Sequence, residues 1–484
     1  MIISRSIGFI EKHNLWSDDQ KRQADEVLKR VEKERVKSIR IGWGDMHGII
    51  RGKTVSVEEL GYAFKNGRDF QGAFGLLDTT NHPFVPAFAA EDQIGIPEMV
   101  GLPDMVLVPD PSTFRIVPWA EGTASILSDA YLLTGKPAPF DTRRILGDQL
   151  AKAAGDGYNM YIGIELEFEI FKLLDAKLDP LLSGWPPQEP AVSLSCHGYN
   201  YLAEVTNDQL SDVLHPLKAN LEAYGLPILT MEIEFGPSQF EVNLRPMPAM
   251  EAADAVLALR SAIKQVCRRH GYHATFMALT NLPNCFVSGW HLHQSLWTED
   301  EKSVFINTEG PSVLSKVGMN YLGGILQHAP GTSLLSTPTI NGYKRYKPDS
   351  FAPTRACWGV ENRGVMCRVI GAPGDPLSHI ENRAGEPGAN PYLYFAAQLI
   401  AGRDGIKNNT DPGAPSIGGY AAEDRPKLPT TIMEAINGFK NDAFVRRELG
   451  DTFANLFLKS KEYEVMRFMT SVTDWEMREY FDVY

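Results

Sequence analysis

Apolar and charged residues alternate through Ile162-Gly163-Ile164-Glu165-Leu166-Glu167-Phe168, the period-two pattern of a β-strand. Residues two apart share a face, so Glu165 and Glu167 stand side by side and repel unless something positive lies between them. Taken alone, the same alternation also marks a solvated strand face. The period returns across residues 228–244, around a Gly236-Pro237-Ser238-Gln239 turn, and at residues 274–280, 291–297, 365–370 and 379–383. Helical spacing marks residues 17–37, opened by Ser17 and with Val27, Leu28 and Val31 on one face. It also marks 142–154, 210–224 and 250–270, the last apolar at Ala253, Val256, Leu257 and Ile263 and stopped by Gly271. A hairpin pattern covers residues 36–54, a strand 104–110, a proline-rich loop 179–190, and the C-terminal part is mostly helical. The elements predict an α+β chain. A small first domain, residues 1–135, closes at a Gly135-Lys136-Pro137-Ala138-Pro139 linker, and a larger second one spans 136–484.

A length of 484 residues suits two to three domains, and 43% hydrophobic with 22% charged residues suits a soluble globular protein. The net charge of -13 argues against nucleic acid as a partner. It leaves nucleotides open, since a local group of arginines holds them. No run reaches the roughly 20 apolar residues of a membrane span, and the first 16 residues lack the apolar stretch of a secretory signal. Cys196, Cys267, Cys285, Cys357 and Cys367 are odd in number and form no CxxC pair. Reduced, buried thiols and a cytoplasmic location are the expectation.

The chemistry lies in what the strands carry. Glu234 and Glu241 flank the Gly236-Pro237 turn, and a tight hairpin would turn them toward each other and toward Glu165 and Glu167. Trp290-His291-Leu292-His293-Gln294-Ser295 puts two imidazoles on one face, and Ile380-Glu381-Asn382-Arg383 a carboxylate beside a guanidinium. A lone histidine or glutamate on a strand is usually structural. Five carboxylates and a histidine on repeated strands, without cysteine, form a hard-ligand set suited to Mg²⁺ or Mn²⁺. Arg345, Arg363, Arg368 and Arg383 are the complement, read singly as surface ion pairs and together as clamps for carboxylate and phosphoryl oxygens. Divalent cations ringed by arginines describe phosphoryl transfer.

In order along the chain, Glu165-x-Glu167-Phe168, Glu234-Phe235-Gly236-Pro237-Ser238-Gln239-Phe240-Glu241, His291-x-His293-x-Ser295-Leu296, Asn341-Gly342-Tyr343-Lys344-Arg345, Asn362-Arg363 with Arg368, and Glu381-x-Arg383 before Ala389-Asn390-Pro391-Tyr392 resemble the glutamine synthetase family. Glu241-Val242-Asn243-Leu244, Cys357-Trp358-Gly359 and Pro412-Gly413-Ala414-Pro415 resemble its γ-glutamyl-amine ligase branch. The resemblance implies a β-grasp-like first domain and an α/β catalytic domain with a curved antiparallel sheet. It implies a homo-oligomer, a dodecamer of two hexameric rings with sites between neighbouring subunits. It implies ATP and two to three Mg²⁺ or Mn²⁺ ions per site, one held by Glu167, Glu234 and Glu241 and a second by Glu165, His291 and Glu381. Arg345 and Arg383, with His291 and Gly289, would hold L-glutamate and the transferring phosphoryl, and Arg363, Arg368, His293 and Ser295 the ATP. The reaction implied is phosphorylation of the γ-carboxylate of glutamate, then displacement of phosphate by an amine.

Departures from the family pattern bear on the amine. Phe70-Gln71-Gly72-Ala73-Phe74 replaces an acidic loop that helps bind ammonium, and Phe351 falls where the flap following Arg345 carries a glutamate. Phe286-Val287 replaces an Asn-Gly, and Pro376 to His379 leaves only His379 where basic residues precede the Glu381 strand. An apolar pocket of Phe351, Phe286, Phe70, Gln71 and Phe74 disfavours ammonium and polyamine dications. An aniline-like or alkyl monoamine, used in amine catabolism, is therefore expected. A polyamine or ethanolamine ligase is the nearest alternative, and an ammonia-using synthetase or an inactive regulator or scaffold are further ones.

Overall fold

The hydrophobic pattern becomes two sheets in the computed structural model, which describes residues 7–86, 88, 91–175, 179–347, 350–420 and 422–484. Ser38–Gly44 (β1) and Ile50–Ser56 (β2) form the expected hairpin. Arg68–Gln71 (β3), Asp104–Pro109 (β4), Arg115–Ile116 (β5) and Thr123–Leu132 (β6) complete a sheet ordered β2-β1-β6-β4-β3, with β5 on β6 and β1 parallel to β6. The helix Asp18–Lys33 lies over it, started by a capping box on Ser17. Its Val27 and Val31 pack with Ile39, Ile41 and Ile126. The helix stops short of the predicted residue 37 because Arg35 adopts a φ of 55° and turns the chain into β1.

Asn159–Leu173 (β7), Val192–Leu194 (β8), Ile228–Ile233 (β9), Gln239–Pro248 (β10), Tyr272–Thr275 (β11), Trp290–Trp297 (β12), Trp358–Val360 (β13), Cys367–Ile370 (β14) and His379–Gly385 (β15) build the second sheet. Its order is β13-β14-β15-β12-β7-β10-β9, antiparallel except for β13 with β14, and it curls into a half-barrel. Ile162, Ile164, Leu166 and Phe168 on the odd-offset face of β7 are fully buried, in one core with the helices Ala249–Arg269 and Pro391–Asn408. The predicted 274–280 strand ends at Thr275, whose hydroxyl accepts from Met277 N and breaks the ladder. Arg143 fastens the two sheets, donating to Asp110 and Asp129 of the first and to Asp254 on the Ala249–Arg269 helix at 2.7–3.0 Å. Among the described residues no helix is long and apolar enough to cross a membrane.

Candidate active site

Register brings the predicted ligands together. On one side of β7, Glu241 of β10 lies directly opposite Glu167. On the other, His291 of β12 lies opposite Glu165, and His293 opposite Glu381 of β15. Residues paired across an antiparallel ladder present their side chains to the same face. Three adjoining donor groups result, each with its ligand atoms within 4.8 Å of one another: Glu167, Glu234 and Glu241; Glu165, Glu241 and His291; and Glu165, His293 and Glu381. His293 thus belongs to the metal-competent set as well as to the nucleotide side that the sequence suggests. Gly163 makes this possible: a Cβ there would lie 3.1 Å from the His293 Cβ, whereas with none the imidazole folds over to bring Nε2 3.1 Å from Glu165 Oε2.

Electrostatics favour cations here. Burial, sharpened by Glu234, pushes the Glu167 carboxyl up to about 8. Burial together with Glu165 and Glu167 pushes Glu241 up to about 10. Burial also acts on Glu165 and Glu381, yet His291 outweighs it in both, aided by His293 at Glu165 and Arg383 at Glu381, and both stay below the usual carboxylate range. Crowded carboxylates that resist ionising until a positive charge arrives fit divalent cations.

The arginines close the ring. Arg345 is buried, donating from Nη1 to Ser288 O at 3.2 Å and from Nη2 to Ala384 O at 2.8 Å. Arg383 Nη1 donates to Glu381 Oε1 at 2.5 Å, and Arg368 reaches Glu381 at 3.3 Å and Glu361 at 2.5 Å. The Nε of each of the three is buried and finds no acceptor among the described residues. Arg345 and Arg383 line the cleft, where guanidinium groups with donors to spare are suited to an anion, whereas Arg368 stands behind Glu381. Gly289 leaves the opening between them. Its N–H donates to Glu167 Oε2 at 2.6 Å, and a Cβ would stand 3.0 Å from Arg345 Nη1 and 3.5 Å from His291 Nε2.

Glu165, Glu167, Glu234, Glu241, His291, Arg345, Arg363 and Arg383 line one cavity of about 360 Å³. Its other end is aromatic. Phe235, Phe286 and Phe351 meet pairwise with ring centroids 5.1–5.8 Å apart, and Tyr199 packs edge-on against Phe235 at 5.1 Å. Phe351 holds its ring there with a φ of 61°, unusual for a bulky side chain. The sequence pattern did not single out Tyr201 and Phe235, which line the cavity, or Tyr199 behind them; Phe235 lies within the Glu234–Glu241 motif, and nothing near Tyr199 marks it. Pro348 and Asp349, in the predicted flap, lie outside the described residues.

Other expected residues sit elsewhere. Phe70 is buried under the first sheet against Phe74, and neither they nor the exposed Gln71 line this chain's cavity. Phe70 points inward because β3 alternates, so its ring is spent on packing. Ser295 lies further along β12, opposite Tyr161, accepting from Trp297 Nε1. Arg363 joins the cavity to an open cleft beside Glu361, Asn362 and Ser416. His379 Nε2 sits 2.9 Å from His293 Nδ1, on the side where the nucleotide is expected.

The glutamine synthetase catalytic domain matches residues 139–480. The chain belongs to the glutamine synthetase family. It is 40% identical, over 99% of its length and all of the relative's, to a γ-glutamylanilide synthase of an Acinetobacter species. A glutamine synthetase of Methanosarcina mazei is 33% identical over 94% of the chain and 97% of the relative. A glutamate–isopropylamine ligase of a Pseudomonas species is 32% identical over 96% and 100%. A solved structure described as a GmaS/ADP complex superposes with a TM-score of 0.79 at 27% identity, covering 94% of this chain and 99% of that one.

Proposed function

We propose that this chain is an ATP-dependent ligase joining the γ-carboxylate of L-glutamate to an apolar monoamine, an aniline-like aromatic amine before an alkyl one. The observation that carries the choice of amine is the cluster of Phe235, Phe286 and Phe351, backed by Tyr199, in a cavity whose charged lining is four carboxylates, His291 and three arginines. The likeness to γ-glutamylanilide synthase supports it.

In this reading the free Nε donors of Arg345 and Arg383 hold glutamate and the transferring phosphoryl, with Gly289 leaving the room. Arg363 and Arg368, with His293 and Ser295 alongside, face the ATP. Two to three Mg²⁺ or Mn²⁺ ions, held by Glu167, Glu234 and Glu241 and by Glu165, His291, His293 and Glu381, would neutralise charge on the phosphoryl oxygens. ATP phosphorylates the γ-carboxylate; the amine nitrogen then attacks the carbonyl carbon and phosphate leaves. An arylamine is weakly basic and arrives neutral, so no carboxylate is needed to deprotonate it before attack; the proton it sheds on forming the amide leaves with the phosphate, and the phenylalanines keep water from the acyl phosphate. Homo-oligomerisation into two hexameric rings belongs to the same proposal, residues 1–135 forming a domain whose Gln71 and Phe74 would meet a neighbour's site. It is supported by a C-terminal segment whose Met469, Val472, Trp475, Phe481, Val483 and Tyr484 are all more than half exposed. A cytoplasmic location is part of the reading.

The test is phosphate release from ATP, Mg²⁺ and L-glutamate with aniline, isopropylamine, ammonia, ethanolamine or putrescine, the product identified by mass spectrometry. The expected result is γ-glutamylanilide, formed faster than with any other amine. Preference for ammonia or putrescine would sink the proposal, and no turnover with any amine would favour a regulator or scaffold.

A further inference from the structure

A second cavity, of about 800 Å³ against about 360 Å³ for the candidate active site, opens between the first sheet and the Ala249–Arg269 helix. The two share no lining residue. Arg40 of β1, Lys53 of β2, Arg115 of β5 and Arg245 of β10 stand on its wall. Among the described residues none of the four pairs with a carboxylate. Arg40 Nη1 donates to Gln265 Oε1 at 2.8 Å, Arg115 Nη1 to the Phe114 carbonyl at 3.4 Å, and Lys53 Nζ to the Asp69 carbonyl at 2.6 Å, all neutral acceptors. Two acids also line the cavity, Glu251 and Asp254. Asp254 is already committed to Arg143 at 3.0 Å and to the Tyr392 hydroxyl at 2.6 Å. Four cations therefore face one uncommitted carboxylate, in a chain whose net charge is -13. Uncompensated guanidinium groups around a concavity of this size are suited to an anion.

The wall also offers a flat surface. Trp119 and Tyr224 pack with ring centroids 5.1 Å apart. Both are fixed by their polar tips, Trp119 Nε1 donating to Gln265 Oε1 at 3.0 Å and the Tyr224 hydroxyl lying 2.7 Å from Ser125 Oγ. Gln265 thus braces an arginine and an aromatic at once, holding both before any ligand arrives.

We propose that this cavity is a second binding site, for a small polyanion of up to nucleotide size. Its phosphate or carboxylate groups lie on Arg40, Arg115 and Arg245, and its body rests against Trp119 and Tyr224. Arg245 follows Glu241 by four residues on β10, so the bound anion ties the first sheet to a strand that carries a metal-competent carboxylate.

Calorimetric titration of the full-length protein tests this, with neither nucleotide nor divalent cation added, so that nothing competes with AMP for the cavity and no metal is chelated by citrate; Arg115 and Arg245 line this cavity and not the active-site one, so their variants tell the two sites apart. The probes are AMP and citrate, which separate a phosphate ester from a polycarboxylate. The expected result is binding of at least one probe to the wild type, weakened at least tenfold in Arg115→Ala or in Arg245→Ala, with turnover within twofold of the wild type. Both side chains are exposed, and both variants should keep the wild-type melting temperature. Absence of binding by either probe, or unchanged affinity in both variants, would overturn the proposal.

Discussion

The two ends of the active-site cavity are built by different means. Most of the charged end, Glu165, Glu167, Glu241, His291, Glu381 and Arg383, stands on four neighbouring strands, β15, β12, β7 and β10, where cross-strand register decides which side chains meet. The aromatic end is assembled from loops and turns: Phe235 beyond β9, Phe286 before β12 and Phe351 beyond Arg345, with Tyr199 packed behind Phe235. A one-residue slip would carry every ligand to the opposite face, so the charged end tolerates almost no change. The loops accept new side chains without moving the ladder. In the proposed function, the chemistry rests on the first kind of support and the choice of amine on the second.

The largest effect should come from the charged end. Glu241→Gln keeps shape and burial but removes one carboxylate shared by two of the donor groups. Phosphate release with every amine should fall roughly 10³-fold or more, and Mn²⁺ binding followed by electron paramagnetic resonance should weaken with it. Wild-type metal affinity in this variant would separate Glu241 from the site. Next is Arg383→Lys, which keeps the charge but removes the planar fork and its free Nε. A loss of about 10²-fold in kcat is expected, again independent of the amine.

The aromatic end should respond selectively. Phe351→Glu puts an acid into the cavity, within the contact range of Phe235 and Phe286. Activity toward aniline should fall about 10- to 100-fold while the ratio of ammonia to aniline turnover rises. A parallel fall with both amines would mean the residue shapes the flap as a whole, and the division of labour would fail.

That division also explains what the sequence disclosed. Glu165, Glu167, Glu241, His291 and Glu381 were legible because alternation on a strand is already geometry. The first-sheet strand β6 was not: its residues alternate in burial, but Ala124, Ser128 and Ala130 on the buried face are too small, and Ser128 too polar, to mark the apolar period. Tyr199 reached the site through a contact 36 residues away in the chain, Phe235, and its hydroxyl donates to Asn284 O at 3.0 Å. No local pattern encodes such convergence. Phe70 erred the other way: its motif position suggested a pocket, but strand alternation sends it into the core.

A charged cluster outside the cavity separates stability from specificity. His328 is buried and held between two carboxylates, Nδ1 2.8 Å from Asp442 and Nε2 2.9 Å from Asp404. Burial alone would lower its pKa, but the two aspartates outweigh it and hold the imidazolium above histidine's usual 6.5. The folded state therefore binds a proton more tightly than the unfolded one. The stabilisation is fully present below about pH 6.5 and is lost as pH rises through the raised folded value. His328→Gln keeps a donor yet carries no charge, so it should lower the melting temperature by a few degrees at pH 6, from roughly 1–3 kcal/mol of charge-assisted hydrogen bonding. The deficit should shrink as pH rises, while the aniline-to-ammonia ratio stays that of the wild type. A deficit that is constant from pH 6 to 9 would show the imidazole to be neutral in the fold. A shifted amine ratio would show that loss of stability alone alters specificity, and the Phe351→Glu result would then have to be read against it.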